Sequence, residues 1–200
     1  MKRLHDKLVF DRRVRVLSRE LAARLPENAR VLDIGCGSGD MAAAIMAERP
    51  DVVIEGVDVL VRPGTAIEVR EYDGITIPFA DDSYDVAMLV DVLHHTDDPG
   101  VVLAEASRVA TSGVLVKDHY RDTPLAGIIL RFMDWVGNAS HGVRLPYNYL
   151  SRARWRDLWQ RLTLSPTRTG EDLGIYPRPF DFVFGRGLHF ITLLTRTGRA

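Results

Sequence analysis

Two hundred residues with 46% hydrophobic content and a formal net charge of −1 can bury one good core, which predicts a single domain over 1–200. That charge gives no general attraction to nucleic acid or to an anionic membrane, and one cysteine, Cys36, rules out an intramolecular disulfide and leaves no basis for a cysteine-built zinc site. Residues 1–10 are charged rather than apolar and no run of about 18 apolar residues occurs, so the expectation is a cytoplasmic protein with no secretory leader and no membrane span.

In chain order, Phe10, Val14, Leu17, Leu21 and Leu25 recur at helical spacing, predicting an N-terminal helix over 9–25 that Pro26 stops. Val31, Leu32 and Ile34 suit a strand covered on both faces. Gly35, Gly37 and Gly39 follow it, and then a run of strong helix formers over 41–49. A second strand ends near Asp58, a shortened helix is expected over 61–67, and a third strand over 67–72 ends at Asp73. A fourth strand, 85–90, opens into a loop with Asp91, His94 and His95; a helix over 101–110 leads to a fifth strand at 113–117. Strands alternating with helices at this spacing predict a parallel sheet covered on both sides. Beyond it come an apolar helix (124–136), a polar and aromatic loop (137–149), a helix capped by Ser151, a weak sixth strand over 163–169 and a firm last strand over 188–195.

Strand, glycine loop and helix make a cradle for a small molecule at a helix N-terminus. A dinucleotide site needs G-x-G-x-x-G, but the sixth position here is Asp40, an acid that would repel a pyrophosphate. What stands instead is D-x-G-x-G-x-G, beginning at Asp33. With Asp58 in EGVDVL, Asp73-Gly74, the stretch from Pro78 to Asp85 (PFADDSYD) and VLHH before Asp97-Asp98-Pro99, this resembles the class I S-adenosylmethionine-dependent methyltransferases, in the branch of the ubiquinone and menaquinone C-methyltransferases. The resemblance covers about 28–118 well and 188–195 in outline. It implies an α/β, Rossmann-like fold: a seven-stranded, mostly parallel sheet with an antiparallel last strand and helices on both faces.

By the same resemblance the cofactor is S-adenosylmethionine, with S-adenosylhomocysteine as product. Its contacts would be Asp33, Gly35, Cys36, Gly37 and Gly39 in the loop, Asp58 on the ribose hydroxyls with Val59 beside it, Asp73 and Gly74 at the adenine, and Val90 closing the fourth strand. A carboxylate suits a cis-diol because each oxygen can take one O–H. Asp91, His95 and His119 are the candidates for catalysis, since a base belongs at the carboxyl ends of strands four and five. No metal is expected. The segment 121–150 is read as a substrate-capping insertion, with Trp135, Asn138, His141, Tyr147 and Asn148 as acceptor contacts and Phe10 of the first helix beside them. The layout is thus an N-terminal helix (1–26), a cofactor core (28–120), the cap (121–150) and a C-terminal helix with the last strands (151–200).

The acceptor is read as a small or lipid-like molecule, its oxygen, nitrogen or carbon nucleophile open, and not nucleic acid: no N/D-P-P-Y/F motif follows the fourth strand and no Pro-Cys pair occurs. The rival readings are a catalytically idle cofactor-binding protein on the same fold and another nucleotide-dependent Rossmann enzyme. Oligomeric state is not legible.

Overall fold

The computed structural model describes the backbone of residues 2–138 and 146–197 and the side chains of 11–136 and 146–197. Helix α1 (Lys2–Ala22) leads to strand β1 (Arg30–Ile34), α2 (Asp40–Glu48), β2 (Val53–Asp58), β3 (Val69–Glu71) and β4 (Tyr84–Val90). A 3₁₀ turn (Leu93–His95), α3 (Pro99–Val109) and β5 (Ala110–His119) follow. The chain ends with α4 (Pro124–Asn138), α5 (Arg152–Arg161), β6 (Leu164–Gly170), the short α6 (Phe180–Phe184) and β7 (His189–Arg196).

The seven strands form one sheet in the order β3-β2-β1-β4-β5-β7-β6. Neighbours from β3 to β5 pair in parallel, and β7 runs antiparallel to both β5 and β6. Side chains alternate between two cores. Leu32 and Ile34 of β1, Leu89 of β4 and Val116 of β5 join α3 and α5 on one face, where Trp155 and Trp159 pack. Val31, Met88 and Leu115 face α1 and α2 through Leu17, Leu21, Ala42 and Ile45. Burial on both faces explains the near-continuous apolar reading of the central strands. Helix α4 belongs to neither face: Ala126 and Leu130 pack with Tyr149 and Leu188 in a separate cluster. Between β1 and β4 the strand order reverses, and the crevice at their carboxyl ends is where such sheets hold ligands.

Several expectations are corrected. No helix forms over 61–67: Pro63 lies in an irregular stretch and Gly64 turns at φ +71°, while Ile67 fills the space that Gly39 and Gly56 leave by lacking a side chain. Strand β3 has three residues rather than six, although Gly56 N–H to Glu68 O and Tyr72 N–H to Asp58 O extend the bonding at each end. Helix α1 ends at Ala22, where Arg24 and Leu25 bond back three residues in a tightened last turn. Strand β5 spans ten residues, because β7 pairs with it as far as His119 opposite His189. His119 is therefore inside a strand and not just past it. Ser151 caps α5 as expected, accepting from Arg154 N–H at 3.3 Å.

Candidate active site

The loop after β1 is built around three left-handed glycines. A Cβ on Gly35 would stand 2.7 Å from Val92 Cγ2, and one on Gly39 would stand 2.6 Å from Ile67 Cγ1. Those two glycines are demanded by packing. Gly37, at φ +59°, has nothing within 4 Å of a Cβ position, so its missing side chain leaves open room in the crevice. Gly37 N–H donates to Asp58 Oδ2 (2.7 Å) and Leu60 N–H to Oδ1 (3.0 Å), which fixes the carboxylate while each oxygen keeps a further acceptor site. Asp33 is buried, and burial followed by the nearby Asp58 charge pushes its carboxyl up to about 8. Cys36 lies over Gly56, and burial, then Asp33, pushes its thiol up to about 12; it is a filler, not a nucleophile. Asp73 accepts the Thr76 and Ile75 N–H groups at 2.6 and 2.8 Å, which hold its carboxyl below the usual range. Beside it, Gly74 lets Val59 approach, since a Cβ there would lie 3.1 Å from Val59 Cγ1.

The loop opens into a cavity of about 370 Å³ whose far wall is charged and buried. Asp91 stands at φ +58° just after β4, its N–H donating to Lys117 O, and its carboxylate pairs with Lys117 of β5 and Arg13 of α1. Burial opposes the charge on Asp91, but Lys117 and then Arg13 outweigh it and hold the carboxyl well below its usual range. Lys117 is fully buried, and burial lowers its ammonium against the pull of Asp91. Its Nζ also lies 3.1 Å from His189 Nδ1; because His189 Nε2 donates to Phe184 O (2.8 Å), the neutral ring accepts from the lysine.

Asp118 organises the other imidazoles. Its Oδ1 lies 2.8 Å from His94 Nδ1, 2.8 Å from the donating His119 N–H and 3.3 Å from His119 Nδ1. Burial, then Lys117, pushes His119 down to about 4, so the ring is neutral near pH 7. The carboxylates around Nδ1 draw the ring proton there and leave Nε2 as the acceptor. Burial also disfavours charge on His94, but Asp118 outweighs it and raises that imidazole. Tyr149 stacks on His94 with ring centroids 5.0 Å apart and donates to Asp134 Oδ2 at 2.9 Å.

Over residues 6–166 the chain matches the family described as a methyltransferase domain. The chain belongs to that family. Among curated relatives it is 33% identical to the 27-O-demethylrifamycin SV methyltransferase of Amycolatopsis mediterranei over 112 residues, 48% of this chain and 41% of that one. It is 34% identical to the demethylmenaquinone methyltransferase of a Roseiflexus species over 119 residues, 54% of this chain and 49% of the relative. The chain thus spans less than half the length of these curated relatives in the matched region. Among solved structures, a chain of the complex between the Haloferax volcanii Trm112 methyltransferase activator and a methyltransferase superposes with a TM-score of 0.67 at 19% identity, covering 96% of this chain and 94% of that one. The 1,6-didemethyltoxoflavin-N1-methyltransferase of Burkholderia thailandensis, solved with bound 1,6-didemethyltoxoflavin and S-adenosylhomocysteine, gives 0.63 at 20%, covering 94% and 79%. At these identities the structural likeness establishes the fold, and it is the Rossmann-like one that the motifs implied.

In this methyltransferase domain, Asp33, Gly35, Cys36, Gly37, Val90, Asp91 and His119 line one cavity. Asp58, Val59, Asp73, Gly74 and Gly39 stand outside that lining; Asp58 is tied to it through Gly37, and Val59 and Gly74 pack together. His95 does not line the cavity: it lies behind Asp134, whose Oδ1 is 3.5 Å from its Nε2. His94 and His95, neighbours on the 3₁₀ turn, both converge on Asp134. Trp135 is corrected too; it is 57% exposed on the outer side of α4 because 125, 128, 132 and 135 share a face turned from the core. Tyr147 packs under Arg131, whose guanidinium is 5.3 Å from its ring, and Asn148 ties its segment to the turn at His94, Thr96 and Asp97. Neither lines the cavity. The side chains of Phe10 and Asn138, and all of His141, fall outside the described residues. Sequence reading missed Arg13, Arg62, Leu130, Met133, Asp134, Tyr149, Tyr176 and His189 in the lining. One signal was available: Lys117 and Asp118 interrupt the apolar run of a central strand, and buried charges there require partners.

Proposed function

We propose that this chain transfers a methyl group from S-adenosylmethionine to a small molecule whose nucleophilic atom carries a proton. One observation carries the reading: the glycine cradle and the neutral His119 open into the same cavity. The residues present fit the cofactor. Gly37 leaves room where any side chain would intrude, and Asp58 has acceptor sites left for a ribose. Arg13 and Arg62 face the cavity with Asp33 and Asp40, which matches the carboxylate and ammonium of an amino-acid end. Val59, Asp73 and Gly74 border the place for the adenine. When bound, the cofactor supplies a methyl group already activated on a sulfonium.

The protein's own work is positioning, which is worth about 7–11 kcal/mol in favourable systems, and removal of one proton. Asp118 orients His119 so that Nε2 receives that proton. Asp91, locked by Lys117 and Arg13, holds the wall between the cofactor and acceptor halves. Leu130, Met133 and Tyr149 supply apolar surface against water, and in this reading α4 with residues 146–150 is the cap over the acceptor. The relatives' names, with rifamycin and menaquinone precursors, support a small-molecule acceptor.

Calorimetric titration with S-adenosylhomocysteine and with NADH, followed by a labelled-methyl screen over phenols, amines, quinones and lipids, tests this. Binding of the first ligand and not the second is expected. His119→Gln should keep S-adenosylhomocysteine affinity within about threefold and lose roughly 10²–10⁴-fold in turnover. Binding of NADH alone would overturn the cofactor, and full turnover in His119→Gln would overturn the base.

A further inference from the structure

Helix α4 is apolar on two sides, and the protein covers one of them. Ala126 and Leu130 pack with Tyr149 and Leu188, and Leu130 and Met133 face the cavity. On the other side Leu125, Ile128, Phe132, Trp135 and Val136 are 54–66% exposed. Ile129, Met133 and Val136, neighbours at helical spacing, carry the apolar surface round the helix from the cavity wall to that stripe. Helix α6 adds a second patch, with Phe180, Phe182 and Val183 48–75% exposed. It stands at the same cavity: Phe184 O accepts from His189 Nε2 and the Phe184 ring meets Tyr176, and both partners are cavity wall. We propose that the outer faces of α4 and α6 dock on the surface of an anionic lipid bilayer, which sets the cavity beside the membrane.

Three observations carry this. Large apolar side chains exposed together on two helices at one cavity mark a contact surface, unlike single apolar residues scattered over a protein. The margins of this surface are cationic. Arg131 lies one turn from Trp135 on α4, Arg121 precedes that helix, and Arg178 and Arg186 bracket α6. All four are exposed, and none has a carboxylate partner among the described residues. An aromatic and aliphatic face edged by arginines suits a helix lying in a bilayer interface, where guanidinium groups reach lipid phosphates and an indole sits at headgroup level. The formal net charge of −1 supplies no such attraction for the chain as a whole, so it is local to this face.

The same charges decide between a bilayer and a second copy of the chain. The carboxylates of 121–136 and 177–187 have partners already: Asp122 takes Arg152, Asp134 takes the Tyr149 O–H and Asp181 takes the Tyr176 N–H. A second copy would bring the same four arginines and the same engaged carboxylates, whereas a lipid surface brings phosphates. Docking here presents membrane-dissolved molecules to the acceptor half of the cavity, a consequence that rests on the methyl-transfer reading.

The test mixes the full chain, without cofactor or acceptor, with vesicles of phosphatidylcholine alone or with about one-third phosphatidylglycerol, and measures sedimented protein. Binding to the anionic vesicles should exceed binding to the neutral ones about fivefold or more, and raising salt from about 0.1 to 0.5 M should remove most of the excess. Tryptophan emission should shift to the blue on binding; Trp155 and Trp159 are buried, so Trp135→Phe should abolish the shift. Ile128→Asp and Phe182→Asp should each lower vesicle binding about fivefold or more. Arg131→Gln combined with Arg186→Gln should remove most of the preference for anionic vesicles. Circular dichroism and S-adenosylhomocysteine affinity check the fold, and if an aspartate variant does not fold the double arginine variant decides. No binding of folded wild type to anionic vesicles, or wild-type binding in the folded variants, would overturn the surface. A dimer in sedimentation that Ile128→Asp dissociates would give the face to a second copy and overturn it equally. None of these outcomes touches the methyl-transfer reading, because vesicle binding is measured without turnover.

Discussion

Asp33 is a carboxyl group buried beside a second one, with its folded-state pKa raised to about 8 from 3.8. Between those values the folded chain holds a proton that the unfolded chain has released, so stability from this group is present in full below about pH 4 and is lost as pH rises towards 8. Other groups titrate in the same range, so the difference between variants is the measurement. Wild type should lose melting temperature relative to Asp33→Asn between pH 5 and 8, and affinity for a cationic cofactor should rise with pH over the same interval only in wild type. A flat difference would place Asp33 among ordinary carboxylates. Asp58 acts through charge-assisted hydrogen bonds to the loop and, in our reading, to the ribose. Asp58→Ala should weaken S-adenosylhomocysteine binding roughly 10- to 100-fold by calorimetry, from about 1.5–3 kcal/mol. The glycines separate by mechanism: Gly35→Val meets Val92 and should unfold the loop, whereas Gly37→Val meets only the space reserved for ligand. It should fold with a backbone penalty of about 1–2 kcal/mol and fail to bind.

Among the elements, β5 carries the charges and α4 carries the wall. Lys117→Met strands the Asp91 carboxylate with Arg13 alone and leaves His189 Nδ1 without its donor; denaturant unfolding should show a loss of about 3–5 kcal/mol. Adding Asp91→Asn should recover part of it, which would measure the coupling directly. On α4 the face decides. Trp135→Ala, on the exposed side, should stay within about 0.5 kcal/mol of wild type and leave acceptor kinetics alone. Tyr149→Phe, beyond α4 in sequence but inside the cavity wall, should alter acceptor KM or turnover while S-adenosylhomocysteine affinity holds within about threefold. Equal behaviour of the two variants would remove the cap from acceptor recognition. Helix α4 was legible as apolar; which side of it meets the cavity was not, because periodicity shows a stripe and not its neighbour.

For the whole molecule, a ligand that binds only the folded state stabilises it by mass action. At a hundredfold excess over Kd, S-adenosylhomocysteine should add about 2.7 kcal/mol, a rise of roughly 5–11 °C in Tm for a chain of this size. NADH at the same concentration should add nothing, since Asp40 lines the cavity at the start of α2 where a pyrophosphate would have to lie. Among the described residues no helix is long and apolar enough to cross a membrane.

The sequence by itself determined the alternating strands and helices, the glycine loop and the order of the cofactor motifs. Those signals are local: a two-residue or 3.6-residue period, a turn that only glycine can make, an acid at a strand end. Ser151 as a cap was equally local, read from its own first turn. Only the tertiary structure decided what forms the far wall of the cavity. Arg13 and Asp91 stand 78 residues apart, and Lys117 and His189 72 apart, and it is sheet pairing and helix packing that bring each pair together. Likewise nothing in the spacing of Asp134 set it against His94 and His95 rather than solvent. A side chain's role at a buried site depends on which charges lie within a few ångströms of it, and that is a property of the packed fold, not of the neighbours in the chain.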